Sequence, residues 1–359
     1  MSPERAPDRV PVRADLADVE PYGAPQLDVP VRLNTNETPF PPPAEFMKRV
    51  AERVEGLELH RYPDRRATAL RTALGARFGL PPERVWAANG SNEILMQLFQ
   101  AYGGPGRTLL LFRPGYSPYP LYAQIALTPS VEADLGDGFE LTAQIALDAV
   151  ATHDPDIVIV TSPNNPTGMP VGLDVVRALH DGSRALVIVD EAYVEFGGVS
   201  ATTVLDELPR VVVTRTFSKA WRLAGLRLGY LLAHEWVIDD LRKVRLPYHL
   251  DALTQAAGLT ALERADEVTA HIAVLSAERD RLHAELAAMP GVTVWPSAAN
   301  FLLFRTAMEG GALFDALLER GVLIRDFSSK PRLRGCLRVT VGTPEENDRF
   351  LTALKESLA

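Results

Sequence analysis

The chain has 359 residues, 47% of them apolar and 23% charged, with a formal net charge of −9. That length points to two lobes rather than one simple core, and the acidic balance argues against a broad nucleic-acid footprint. The single cysteine, Cys336, leaves no intrachain disulfide and suits a small apolar filler in an intracellular, cytoplasmic setting. No apolar run is long enough to span a bilayer.

Residues 1–20 are charged and proline-dotted and read as a draped or mobile arm, without the apolar stretch of a secretory signal. A short strand is expected near 31–33. The run L-N-T-N-E-T-P-F-P-P-P (33–43) is kept out of regular structure by its prolines and bridges the two lobes. Helices follow at 44–55 and 67–78, with the turn H-R-Y-P-D and its Tyr62 between them. Leu70, Leu74 and Phe78 share one face of the second helix.

From residue 85 apolar, β-branched runs alternate with helical patterns, giving strands at 85–88, 108–112, 157–160, 186–189, 211–214 and 229–232. This rhythm predicts an α/β fold with a mostly parallel central sheet covered on both faces. Ligands of such sheets gather at the carboxyl ends of the strands. A long helical region at 239–289, broken near Pro247, leads into a smaller α+β lobe with strands at 292–295, 301–304 and 337–341 and helices at 312–319 and 345–358. The expected division is an arm at 1–20, a large domain at 38–250, and a small domain made of 21–37 and 251–359.

The polar residues at the strand ends carry the chemistry. Of five lysines, Lys219 alone follows an apolar strand directly; a partly desolvated amine near other cations has a lowered pKa and can attack an aldehyde. Asp190 ends the apolar strand at 186–189, where an unpaired carboxylate is expensive, and no neighbouring cation in sequence serves it. A protonated ring nitrogen would, although a helix N-cap would also explain an aspartate there. Ser91 and Asn92 open a helix after a glycine turn, a geometry that suits a phosphate as well as a plain cap. Asn165 sits in the rigid loop S-P-N-N-P-T-G, where its amide could donate to a ligand oxygen or close an Asx turn. Tyr116 could lay its ring on a flat ligand or pack on its neighbours. Arg222 and Arg227 flank the turn at Gly225, and Arg227 fits a phosphate bidentately.

Jointly these groups describe one ligand. Its aldehyde meets Lys219 and its ring nitrogen meets Asp190. Its ring oxygen meets Asn165 and Tyr193, its ring face meets Tyr116, and its phosphate meets Ser91, Asn92, Thr216, Ser218 and Arg227. That ligand is pyridoxal 5′-phosphate. G-x-G-x-x-G after a strand, a P-loop and H-E-x-x-H are all missing from the sequence, which disfavours dehydrogenase, NTPase and metal chemistry.

In S-P-N-N-P-T-G, D-E-A-Y and T-F-S-K-A…G-L-R-L-G-Y the chain resembles the fold-type I pyridoxal-phosphate aminotransferases, from about residue 22 to the C-terminus. The finer marks are P-Y-G-A-P-Q, L-N-T-N-E-T-P, H-R-Y-P-D, A-A-N-G-S-N-E, R-L-P-Y-H-L and L-I-R-D…L-R-V-T-V-G-T-P-E-E-N. They are similar to the histidinol-phosphate branch of that family. The resemblance implies a homodimer in which Tyr62 reaches the cofactor phosphate of the other subunit. It implies that Arg338, assisted by Arg325, binds the acidic end of both substrates, with Tyr22, Asn36, Asn92, Tyr116 and Tyr248 near the imidazole. It further implies amino transfer between histidinol phosphate and 2-oxoglutarate, yielding glutamate, with Lys219 moving the proton and Asp190 and Tyr193 supporting the ring. An aromatic amino-acid aminotransferase and a threonine-phosphate decarboxylase are the alternatives.

Overall fold

The computed structural model describes residues 10–359 apart from Tyr22. After an entry segment with one 3-10 turn (Ala14–Leu16) come β1 (Val31–Arg32), α1 (Ala44–Glu55) and α2 (Thr68–Phe78). The alternating part follows: β2 (Val85–Ala88), α3 (Ser91–Tyr102), β3 (Leu109–Arg113), α4 (Pro118–Ile125), β4 (Ser130–Asp134), α5 (Ala143–His153), β5 (Ile157–Thr161), α6 (Leu173–Asp181), β6 (Leu186–Asp190), β7 (Val211–Thr216) and β8 (Gly229–Leu232). Helices α7 (Glu235–Val244), α8 (Ala252–Glu263), α9 (Ala265–Thr269) and α10 (Ile272–Ala287) occupy the region expected as one broken helix. The chain closes with β9 (Thr293–Val294), β10 (Phe301–Arg305), α11 (Gly310–Glu319), β11 (Val322–Leu323), β12 (Arg325–Asp326), β13 (Cys336–Thr340) and α12 (Pro344–Leu358).

The seven strands β2 to β8 form one sheet in the order β2-β8-β7-β6-β5-β3-β4. All its pairings are parallel except those of β8, which runs against both β2 and β7. The β-branched runs of β5, β6 and β7 are buried at every position because helices cover both faces. Alternate side chains serve opposite layers: Val187, Val189, Val211 and Val213 join one apolar cluster, whereas Ile188, Val212 and Leu231 join the other, with Ile94, Leu98 and Val237. These central strands run further than their apolar letters. Thr161 pairs with Asp190 and Asp190 with Thr214, so polar residues stay in the ladder, and Thr161 and Asp190 line the cleft. The edge strand β4, S-V-E-A-D, was not expected; it is half-exposed and too polar for an apolar-run criterion.

A second sheet, β12-β13-β10-β9, is wholly antiparallel, and β1 pairs with β11 in a parallel two-stranded ribbon. That ribbon ties residues 31–32 to the C-terminal part. The chain then crosses through 33–43, held by Thr340 N–H donating to Leu33 O at 2.9 Å and Asn36 N–H to Thr340 Oγ1 at 3.0 Å. Helix α8 packs on α1 and α2, and α10 on β9, β10 and α12. Cys336 is buried in β13, where burial pushes its thiol up to about 11. Among the described residues no helix is long and apolar enough to cross a membrane.

Candidate active site

The carboxyl ends of β5, β6 and β7, the first turn of α3 and the 33–43 crossing meet β12 and β13 around one cavity of about 220 Å³. Its walls contain thirteen of the residues singled out from sequence: Asn36, Ser91, Asn92, Tyr116, Asn165, Asp190, Tyr193, Thr216, Ser218, Lys219, Arg227, Arg325 and Arg338. Tyr22 lies outside the described residues. Tyr62 and Tyr248 do not line the cavity: their rings stack on each other at 4.4 Å on the surface, with Tyr62 79% exposed. Arg222 is also turned away, donating to His271 Nδ1 at 2.6 Å and to Pro41 O at 3.1 Å.

Lys219 leaves the strand-to-loop turn three residues after β7. Its Nζ donates to Thr35 O at 2.8 Å and stands 5.8 Å from the centre of the Tyr193 ring. Burial, with help from the Arg338 and Arg227 charges and against the opposing field of Glu37, lowers its pKa from 10.5 to about 7. In the wall of the same cavity Asp190 is 4% exposed. Burial raises it to about 6, although Tyr119 O–H at 2.8 Å and Ala192 N–H at 3.2 Å both donate to it. None of the groups that act most strongly on Asp190 is a cation. A carboxylate so placed suits a ligand N–H bearing positive charge.

Asn165 and Tyr193 sit side by side. Tyr193 Oη accepts from Asn36 Nδ2 at 2.9 Å and Asn165 Nδ2 at 3.5 Å, and Asn165 Oδ1 accepts from Arg338 Nη1 at 2.5 Å. Arg338, on β13, also donates to Asn34 O at 2.7 Å and is flanked by the rings of Phe301 and Phe327 at 5.1 and 5.3 Å. Arg325 on β12 pairs with Arg338 in register, so two guanidiniums face one wall.

Between α3 and the loop after β7 the cavity wall is made of Ser91, Asn92, Thr216, Ser218 and Arg227, a set whose chemistry suits an anion. Gly90, at φ 83°, caps α3 and turns the helix N-terminus towards the cavity. Ser218 N–H donates to Thr216 Oγ1 at 3.1 Å, and Arg227 Nη1 donates to Ser218 Oγ at 3.3 Å. A Cβ on Gly229 would come within 2.4 Å of Ser91 N, and one on Gly90 within 2.8 Å of Arg227 Nη2. Glycine at both positions keeps this cradle open.

Sequence reasoning missed Thr35, whose carbonyl accepts a hydrogen bond from Lys219 Nζ, and Phe327, which packs on Arg338. It also missed Tyr119, although the i, i+3 spacing from Tyr116 was available as a signal. Beneath the site, Arg215 grips the fully buried Glu191 at 2.8 Å and lies 3.6 Å from Glu195. Together the fold and the site define an aminotransferase of the class I and II type. Residues 29–354 match the family model for aminotransferase class I and II, and the chain belongs to that family.

Within it, three curated relatives bear the name histidinol-phosphate aminotransferase. The one from Frankia casuarinae is 48% identical over 98% of this chain and 91% of its own, and that from Mycolicibacterium smegmatis is 50% identical over 96% and 92%. The third, from Corynebacterium diphtheriae, is 48% identical over 97% and 96%. A solved histidinol-phosphate aminotransferase from Sinorhizobium meliloti, in complex with pyridoxal-5′-phosphate, has a TM-score of 0.84 and 24% identity, covering 92% of this chain and 91% of that one. An aspartate aminotransferase from Thermus thermophilus gives 0.82 and 22%, covering 97% and 99%; these two share the fold.

Proposed function

We propose that the protein is a pyridoxal-phosphate-dependent histidinol-phosphate aminotransferase. It exchanges the amino group between L-histidinol phosphate and 2-oxoglutarate, giving imidazole acetol phosphate and L-glutamate, in cytoplasmic histidine biosynthesis. The observation that carries this reading is one cavity wall that holds both a desolvated lysine and a buried aspartate on which no cation acts strongly. The choice of substrate is supported by relatives near half identity along almost the whole chain.

When bound, the cofactor supplies an aldehyde that accepts the amino group and a conjugated ring that draws charge off the substrate carbon. Lys219 Nζ, poised near neutrality, takes the proton from the substrate α-carbon and returns it in the reverse direction. Of the residues in the cavity wall, Asp190 would accept the ring N–H and keep that nitrogen protonated, Asn165 and Tyr193 would hold the ring hydroxyl and Tyr116 would back the ring face. The α3 N-terminus, Thr216, Ser218 and Arg227 would hold the phosphate. Arg338 and Arg325 receive the acidic end of either substrate; a phosphate ester near −2 needs more counter-charge than a carboxylate. The exposed Tyr62–Tyr248 pair, outside its own cavity, supports a homodimer in which Tyr62 serves the other copy's phosphate site. The division into a large body at 38–250 and a small one from 21–37 and 251–359 belongs to the same proposal, with residues 33–43 crossing between them.

The test is a panel of half-reactions on purified protein with histidinol phosphate, phenylalanine and glutamate, followed by loss of the visible cofactor absorbance, with carbon dioxide release measured alongside. Histidinol phosphate and glutamate should react fastest, with no carbon dioxide. Faster reaction of phenylalanine, or carbon dioxide release, would overturn the substrate assignment. Borohydride reduction and peptide mapping should place the label on Lys219 and nowhere else.

A further inference from the structure

Asp190 and Tyr116 both serve the cofactor ring in the proposed function, and each must be held in place to do so. Both converge on Tyr119, in the first turn of α4 and 4% exposed. Its Oη lies 2.8 Å from Asp190 Oδ2, to which it donates, and 2.8 Å from Thr161 Oγ1. The other carboxylate oxygen, Oδ1, takes the N–H of Ala192 at 3.2 Å. Each oxygen of Asp190 is thus tied by one donor from a different element, and the carboxylate cannot turn about its terminal torsion without breaking a charge-assisted bond. The ring of Tyr119 also meets that of Tyr116 edge to face, at 5.2 Å and 78°.

We infer that Tyr119 is a positioning residue for the cofactor, which fixes the Asp190 carboxylate towards the ring nitrogen and braces Tyr116 behind the ring face, with Thr161 setting its hydroxyl. The inference rests on the proposed function. The groups that act most strongly on Asp190 are Tyr119 on α4, Ala192 on its own loop and Thr214 on β7, which lower its pKa, opposed by Glu191, which Arg215 of β7 pairs; Lys219 and Tyr193 share its cavity wall. Removing the Tyr119 hydroxyl therefore makes the carboxylate more basic and leaves Oδ2 less firmly held, with only Oδ1 tied by Ala192 N–H. It then draws the ring proton to itself, and the ring becomes a weaker electron sink.

The experiment compares Tyr119→Phe, which keeps the packing on Tyr116, with the unaltered enzyme loaded with pyridoxal phosphate. A hydrogen bond to a charged group sets the scale, so kcat should fall about tenfold, with KM for both substrates within about twofold. The pH midpoint of the lysine-bound chromophore should move to higher pH, because a less positive ring leaves the attached nitrogen more basic. The cofactor-free variant should bind pyridoxal phosphate about tenfold more weakly by fluorescence titration. Thr161→Val should move the chromophore midpoint in the same direction by less. An unchanged midpoint and cofactor affinity in Tyr119→Phe would overturn the inference while leaving the proposed function standing. Failure of the unaltered protein to form the chromophore would overturn both.

Discussion

The lowered pKa of Lys219 has a direct consequence for the cofactor-free protein. With a value of about 7 against the ordinary 10.5, about three quarters of Lys219 is neutral at pH 7.5, compared with about one in a thousand for a solvated lysine. The cause is burial first, then the Arg338 and Arg227 charges. Below pH 7 both folded and unfolded chains carry the proton, and the folded state bears the full cost of a buried ammonium. Between about 7 and 10.5 the unfolded chain binds the proton and the folded one does not, so stability rises with pH across that window, by at most roughly 5 kcal/mol. Trace acetylation of cofactor-free protein at a series of pH values, read by peptide mass analysis, gives the titration directly. Lys48, Lys243, Lys330 and Lys355 serve as internal standards. Lys219 should label with a midpoint near 7, and the rise in denaturation midpoint from pH 7 to 9.5 should be smaller in Lys219→Met. A labelling midpoint at or above 9.5 would refute the claim that the cavity desolvates this amine.

Two further outcomes follow from the same geometry. Arg338→Ala removes the guanidinium that bridges Asn165 and Asn34 O; KM for histidinol phosphate and for glutamate should each rise at least about tenfold, and an unchanged glutamate KM would remove Arg338 from substrate binding. Arg215→Leu leaves Glu191 buried without its cation; this should cost about 3–5 kcal/mol, seen as a marked fall in melting temperature, and an unaltered melting temperature would show that the Arg215–Glu191 pair is not worth that much.

Much of this site could be read from letters because each residue stands where a strand pattern breaks. Asp190 follows L-V-I-V, Asn165 lies between two prolines, and Ser91 follows N-G. In a parallel sheet such breaks fall on one edge, so a one-dimensional pattern already implied a three-dimensional cluster. Residues whose role depends on the second sheet were harder. Arg338 needed the family resemblance, because an arginine in β13 looks the same whether it faces solvent or the cavity. Thr35 acts through its carbonyl, which no side-chain pattern reveals. Strand β4 escaped for the opposite reason: its exposed edge carries S-V-E-A-D, which has no apolar run to detect.

The two groups in this cavity also explain each other. Asp190 is raised to about 6 and Lys219 lowered to about 7, both chiefly by burial, so near neutral pH the fold bears the cost of a buried carboxylate and holds the amine largely neutral, which water would not. A ligand with a cationic nitrogen at one end and an electrophilic carbon at the other relieves both penalties at once. Its binding must then stabilise the folded chain by mass action beyond what its phosphate contacts alone supply. Tyr119 and Thr35 fit the same logic, because each supplies one bond to a buried ionisable group: Tyr119 O–H to the Asp190 carboxylate, beside the Ala192 N–H, and the Thr35 carbonyl to the Lys219 amine. They hold the two groups in place before the cofactor arrives, which is why residues that sequence reasoning missed sit against the two it singled out first.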